Sequence, residues 1–300
     1  MKRKMKIHIY PSGRLGNQLY FAAIAMSLQK SQNSFGVNSK IIVHTDQPIV
    51  DLRNLLNFEP DKVSKFSLIK RIIGNNSLED KNAIFRGMHK INLLQRVLLS
   101  SAINSFSDIQ NRKLRRRVNI SESKHEYEFF RYLRHEISQI ERSNSFYPFY
   151  SNKSEIENFD TSIAIHMRFG DFLAEDIAHQ YGNLNEKYYS KALEFFVDKS
   201  SFQETQIQLF SDDLIKGKKM LAEMGCERVR TFETENLRPA QELLIMSKYS
   251  RIILSNSTFS WWAGYFAEDR ATVIAPNPLM KRVASDLSRS PNWTYIDAWS

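Results

Sequence analysis

The chain has 300 residues, 42% hydrophobic and 25% charged, with a formal net charge of +9. These are the proportions of an ordinary globular protein, and they exclude a disordered, collagenous or disulfide-scaffold chain. One cysteine, Cys226, excludes an internal disulfide and a cysteine-rich metal site, and it reads as a small buried filler.

Lys6–Tyr10 reads as a strand, and Pro11-Ser12-Gly13-Arg14-Leu15-Gly16 as the turn that follows it. From Asn17 to Lys30 the apolar residues recur at helical spacing. Strand, glycine-bearing turn and helix make the first half of a mononucleotide-binding α/β unit. Ile41–His44 is the next strand. Residues 50–140 read as mainly helical, with no clear strand. Within them, residues 61–120 hold 13 Lys+Arg against 4 Asp+Glu, which is the whole surplus of the chain. The run Arg112-Lys113-Leu114-Arg115-Arg116-Arg117 is its densest part. It reads as a solvated helix face, or as a surface for an anionic membrane leaflet or a phosphate-bearing partner.

The aromatic cluster at 146–150 and the polar stretch at 151–157 mark a boundary, so the expected domains are 1–150 and 151–300. The second half alternates. Strands are expected at 162–166, 206–210, 228–232, 251–254 and 271–275. Helices are expected at 186–198, 213–224, 239–248 and 258–267, the second capped by Ser211 or Asp212. This pattern predicts an α/β fold with parallel sheets covered on both faces, in two Rossmann-like domains. The tail from Asn277 to Ser300 is uninformative, and Trp293 and Trp299 suggest that it packs back on the first domain. No stretch approaches the ~18 consecutive apolar residues of a membrane span. Residues 1–10 lack the roughly 7–15-residue apolar core of a secretion signal, so cytoplasm is the expected compartment.

Open parallel sheets bind ligands at the carboxyl ends of their strands, and four polar clusters fall there. Gly13-Arg14-Leu15-Gly16-Asn17-Gln18 lets backbone approach a ligand, with a helix N-terminus behind it for an anion. It is neither a P-loop nor a G-x-G-x-x-G turn, and an ordinary tight turn with an asparagine cap would also produce it. His166-Met167-Arg168-Phe169-Gly170-Asp171-Phe172 follows a strand. His166 and Arg168 share one face there, Arg168 offers a fork for a diphosphate, and Asp171 is placed to orient it. Phe210-Ser211-Asp212-Asp213 either caps the next helix, chelates a metal, or accepts the N–H groups of guanine. Ser255-Asn256-Ser257-Thr258-Phe259-Ser260-Trp261-Trp262 reads as a phosphate cradle opening a helix, with the tryptophans as core anchors.

Taken together, and in this order over residues 13–262, the four clusters resemble the bacterial α-1,2-fucosyltransferases of glycosyltransferase family 11. The family pattern often carries two arginines in the central motif, and Phe169 stands in place of the second. The resemblance implies a GT-B-like fold with the active site in the cleft between two domains. The first domain would serve the acceptor and the second would bind GDP-fucose. The implied reaction moves L-fucose from GDP-fucose to the 2-hydroxyl of a galactoside with inversion, in surface polysaccharide (O-antigen) synthesis and with no metal cofactor.

On that resemblance Arg168 neutralises the leaving diphosphate. His166 and one of Asp212 or Asp213 hold the guanosine. Asn256, Ser257, Thr258 and Phe259 line the phosphate and nucleoside pocket, and Arg14, Gly16 and Asn17 approach from the other domain. The base is open among Asp171, Glu175, Asp176 and the His44–Asp46 loop. The partners expected are GDP-fucose and a galactose-terminated, lipid-linked glycan at the inner membrane face, with no nucleic acid. Two alternatives stand beside this. One is a fucosyltransferase of α-1,6 or α-1,3 linkage. The other is a non-catalytic basic module for membrane surfaces or nucleic acid, against which no nucleic-acid motif appears.

Overall fold

A computed structural model describes residues 4–11, 13–56, 58–64, 101–102, 106–110, 114, 116–120, 126–131, 133, 159–170, 182–231, 238–279 and 289–299. The chain divides into two compact units, Met1–Glu141 and Arg142–Ser300, ahead of the boundary expected after residue 150.

The first unit is built on a parallel sheet of order β3-β2-β1-β5-β4. Its strands are β1 (Lys4–Ile9), β2 (Asn38–His44), β3 (Lys62–Ser64), β4 (Ser101–Ala102) and β5 (Arg117–Ile120). In β1 the buried Met5, Ile7 and Ile9 alternate with charged or polar residues, the period that strand geometry imposes. Helix α1 (Leu15–Ser34) is apolar on every side from Leu19 to Ala25, where all seven residues are buried. Its buried polar groups hold the shorter helices α3 (Phe106–Ile109) and α4 (Tyr127–Arg131): Ser31 Oγ donates to Ile109 O at 2.7 Å, and Ser27 Oγ to Phe129 O at 2.6 Å. Helix α2 (Val50–Leu56) follows β2.

Two sequence expectations are corrected here. Among its described residues the span 50–140 contains three strands as well as helices. They escape the sequence pattern because two or three residues carry no readable alternation. In the four residues of β5, Val118 and Ile120 are buried, directly after a run of bases. In its described part that basic run is not a helix face. Leu114 is buried in irregular chain, Arg116 lies in a bend, and Arg117 opens β5. Residues 65–100, which hold much of the surplus charge, lie outside the described residues.

The second unit is a six-stranded parallel sheet of order β11-β10-β9-β6-β7-β8. Its strands are β6 (Ile163–Met167), β7 (Ile207–Ser211), β8 (Val229–Thr231), β9 (Arg251–Ile253), β10 (Thr272–Asn277) and β11 (Thr294–Asp297). All five residues of β6 are buried, as expected of a central parallel strand covered on both faces. The helices are α5 (Glu186–Glu194), α6 (Leu214–Glu223), α7 (Pro239–Met246) and α8 (Thr258–Ala267). Helix α8 has the bounds expected, whereas α5 stops short of residue 198.

The tail adds a strand to this second unit. Strand β11 pairs in parallel with β10, from Ile274–Thr294 to Asn277–Asp297. Trp293 lies 5.6 Å from the Trp261 ring, and Trp261 stacks on Tyr265 at 5.3 Å. Trp261 and Trp262 are 1% and 0% exposed, so both are core residues.

Truncating such a ring removes transfer energy and leaves a cavity. Trp261→Ala should destabilise the second unit by about 3–5 kcal/mol in urea unfolding. A loss below about 1 kcal/mol would show that this aromatic cluster does not hold the unit together.

Candidate functional site

The strand order locates the site in the second unit. From β6 the chain proceeds to β7 on one side and later returns to β9 on the other, so the carboxyl ends of β6 and β9 flank a switch point. His166, in β6, and Ser255, just after β9, meet there with Nδ1 and Oγ 2.7 Å apart. The Phe259 ring lies 5.4 Å from the imidazole. Burial, with the charge of Arg168 added, lowers the His166 pKa to about 3. His166 is therefore a neutral hydrogen-bonding group at physiological pH, not a cation.

Arg168 lies two residues on. Its Nη1 is 2.8 Å from Asp212 Oδ2, in a pair whose side chains are 13% and 21% exposed. The other oxygen of Asp212 accepts the Phe169 backbone N–H at 2.9 Å. Asp212 thus fixes both the guanidinium and the backbone of the central motif, and does so from the position just after β7. Asp171, the orienting residue expected from the sequence, lies outside the described residues, as do Glu175 and Asp176. Gly170 fits the same geometry, because a Cβ there would collide with the Asp212 carboxylate.

The helix cap is corrected as well. Asp213, not Ser211 or Asp212, caps α6, its Oδ1 accepting the Lys216 N–H at 2.9 Å. Ser211 ends β7 as its last residue and Asp212 is engaged with Arg168. Phe169 is buried, with the Lys216 ammonium 4.8 Å above its ring.

The turn after β9 divides by exposure. Ser255 and Asn256 are 0% and 1% exposed, and the Asn256 amide donates to Gly182 O at 2.8 Å. Ser257 caps α8, accepting the Phe259 N–H at 3.2 Å. Thr258 and Phe259 are half-buried and open the helix, whose N-terminus adds partial positive charge. Sequence motif alone cannot separate framework from contact residues in such a cluster.

Other residues at this edge carried no sequence signal. Tyr188 OH donates to Leu254 O at 2.7 Å and Tyr189 OH to His166 O at 3.3 Å. Burial, and then the Asp212 charge, push the Tyr189 phenol up, so it stays a donor. Glu242, in the first turn of α7, has its pKa raised to about 7 by burial and by Asp212. No spacing links residues 212 and 242; the sheet brings them together.

Arg14, Gly16 and Asn17 belong to the first unit. Arg14, not Asn17, is the N-cap residue of α1, and Asn17 packs in its first turn against Gly13. Gly13 has φ 76°, a conformation that favours glycine, and a Cβ there would meet Asn17 Nδ2 at 2.7 Å. At the carboxyl edge of β1 and β2, Tyr10 stacks on His44 at 4.6 Å, and His44 Nε2 is 2.8 Å from His8 Nδ1. Among the described residues no group of three or more His, Cys, Asp and Glu is arranged to hold a metal ion. Among those residues no helix is long and apolar enough to cross a membrane.

The sequence model of glycosyl transferase family 11 matches residues 5–297. The chain belongs to that family. Two Escherichia coli proteins are similar to this family 11 chain. The alpha-1,2-colitosyltransferase is 28% identical over 131 residues, 43% of this chain and 44% of that protein. The O-antigen biosynthesis glycosyltransferase WbnK is 32% identical over 120 residues, 39% of this chain and 38% of that one. The matched stretch spans less than half the length of either relative. Among solved structures, a glycosyl transferase family 9 protein from Veillonella parvula covers 99% of this chain and 87% of its own, at 11% identity and TM-score 0.47. The fucosyltransferase NodZ from Bradyrhizobium covers 89% and 93%, at 12% and 0.45. Overlaps this loose carry no weight for the site.

The shift at Glu242 has a thermodynamic consequence. Between its ordinary value of 4.5 and about 7 the folded protein holds more of this proton than the unfolded chain does. This group's contribution therefore falls as pH rises through that window, by on the order of 2–3 kcal/mol. His166 acts with the opposite sign, its contribution falling as pH drops from 6.5 towards 3. The difference between Glu242→Gln and the parent isolates the carboxyl: the variant should gain relative stability from pH 5 to pH 8 in urea unfolding. A difference independent of pH would show that Glu242 ionises normally.

Proposed function

We propose that this family 11 chain is an inverting glycosyltransferase that moves L-fucose from GDP-fucose to the 2-hydroxyl of a galactoside in O-antigen synthesis. The observation that carries the reading is the Arg168–Asp212 pair beside neutral His166 and the N-terminus of α8, at the switch point of a parallel sheet. It is an anion site with a preorganised planar cation. In the reaction the acceptor oxygen forms a bond to the anomeric carbon while the bond from that carbon to the β-phosphate oxygen breaks. GDP leaves with the bonding pair, and the acceptor proton passes to a base. Negative charge grows on the diphosphate, and Arg168 is the group placed to meet it. Thr258 and Phe259 offer contact to the nucleotide, His166 a neutral hydrogen-bonding edge. Asp171, Glu175 and Asp176 stay candidates for the base, with Arg14, Gly16 and Asn17 for the first unit's share.

A second reading concerns the sugar alone. The name of the alpha-1,2-colitosyltransferase relative favours a colitosyl donor with the same linkage. Turnover with GDP-fucose and with the colitosyl donor, over a panel of β-galactosides and with linkage analysis, decides between them. An α-1,6 or α-1,3 product overturns the linkage.

The basic surplus of residues 61–120 suits a lipid-linked acceptor at the anionic inner membrane face in the cytoplasm. Sedimentation with anionic vesicles should be strong in low salt and weak in high salt. Equal binding to neutral vesicles would remove that part of the reading.

Arg168→Ala should lower kcat by about 10²–10³, the loss seen when one preorganised charge partner is removed. Arg168→Lys should recover only part, since it keeps the charge and loses the planar fork. Calorimetry should show GDP binding over UDP and ADP. A fully active Arg168→Ala protein, or equal binding of all three nucleotides, would overturn the reading.

A further inference from the structure

We propose that Trp299 is a positioning residue for the turn after β9, acting through Gly182 and Asn256. The part of this that concerns GDP rests on the donor reading above.

Gly182 lies just ahead of α5, with φ 72°. A Cβ on it would lie 2.7 Å from Trp299 Cη2 and nearer still to Cζ3, so the indole is seated on the bare Cα. No other residue type has both the backbone freedom and the missing side chain that this contact requires. The indole is itself fixed: Nε1 donates to Pro278 O at 3.0 Å, and the Trp299 N–H donates to Asp297 Oδ1 at 3.0 Å. The Gly182 carbonyl accepts from Asn256 Nδ2 at 2.8 Å. Asn256 is 1% exposed, so water cannot readily take over that acceptor.

The same stretch makes two further ties at the switch point. Tyr188 reaches Leu254 O, and Tyr189 reaches His166 O. One short segment therefore holds the carboxyl ends of both β6 and β9 and the turn that leads into α8. The two tyrosines are held by their helix. Gly182 precedes the helix, and the indole of Trp299 packs directly against it. Without that ring the carbonyl can turn away, the buried Asn256 amide loses its acceptor, and Thr258 and Phe259 lose their setting. Small displacements of positioned groups are costly to binding and to rate.

The test compares the parent, Trp299→Ala, Trp299→Phe, Asn256→Ala and the double variant Trp299→Ala with Asn256→Ala. Two quantities are read: amide hydrogen exchange in the ligand-free protein, and GDP affinity by calorimetry. Trp299→Ala should speed exchange at residues 255–260 while α6 keeps parental rates. It should weaken GDP by about tenfold, the scale of one lost hydrogen bond. Trp299→Phe, which keeps a flat ring against Gly182, should retain most of the affinity. The double variant should bind no more weakly than Asn256→Ala alone, because both changes act through one carbonyl. If Trp299→Ala does not fold, Trp299→Leu takes its place in the cycle. Additive losses, or parental exchange at 255–260 without the indole, overturn the proposal. A parent that does not bind GDP overturns the donor reading instead, and the exchange comparison then decides the positioning role by itself.

Discussion

A guanidinium that is largely withdrawn from water must have a counter-charge, and much of the second unit can be understood from how Arg168 gets one. Asp212 supplies it from just beyond the neighbouring strand and uses its second oxygen on the Phe169 backbone. Breaking such a pair by removing one partner costs more than the pair itself contributes, because a charge is left without compensation. That constraint reaches outward. Gly170 must lack a side chain to admit the carboxylate. Glu242, near that carboxylate and mostly buried, is held towards its neutral form. His166, near the guanidinium and buried, is neutral as well. Burial first, and the charges of this ion pair second, thus hold both neighbours towards their neutral forms.

The second organising feature is polar and buried. Hydroxyls and amides inside a protein must find partners, and here the partners are carbonyls at strand ends. Tyr188, Tyr189, Asn256 and Ser260 all donate to backbone oxygens at or next to the turns around the switch point. These bonds fix the frame, so Thr258 and Phe259 can be presented without themselves being part of the scaffold. In the first unit α1 uses the same device, with Ser27 and Ser31 binding carbonyls of α4 and α3. The buried serines of this helix are therefore its ties to neighbouring elements.

Local pattern was a sound guide where local forces decide. The alternation of strand and helix in the second half, the bounds of α8, and the tryptophans as core residues were all legible in the sequence. In each, a run of apolar residues with one period fixes both the element and its buried face. The short strands β3, β4 and β5 were not legible, since two to four residues carry no usable period and pairing with a neighbour is what makes them strands. The tail was opaque for the same reason: β11 is defined by its register with β10. The helix cap went to Asp213 because tertiary contact had already engaged Asp212.

What the sequence by itself determined was the α/β class, the glycosyl transferase family 11 motifs, and the presence of Arg168 at a strand's carboxyl end. Each depends on residues close together in the chain. Only the tertiary structure decided that Asp212 is the partner of Arg168, that Glu242 is near that pair, and that Asn256 faces Gly182 rather than solvent. These pairings join residues 30 to 74 positions apart. They follow from the order in which parallel strands lie side by side, and that order is set by packing over the whole sheet, which no local stretch of sequence encodes.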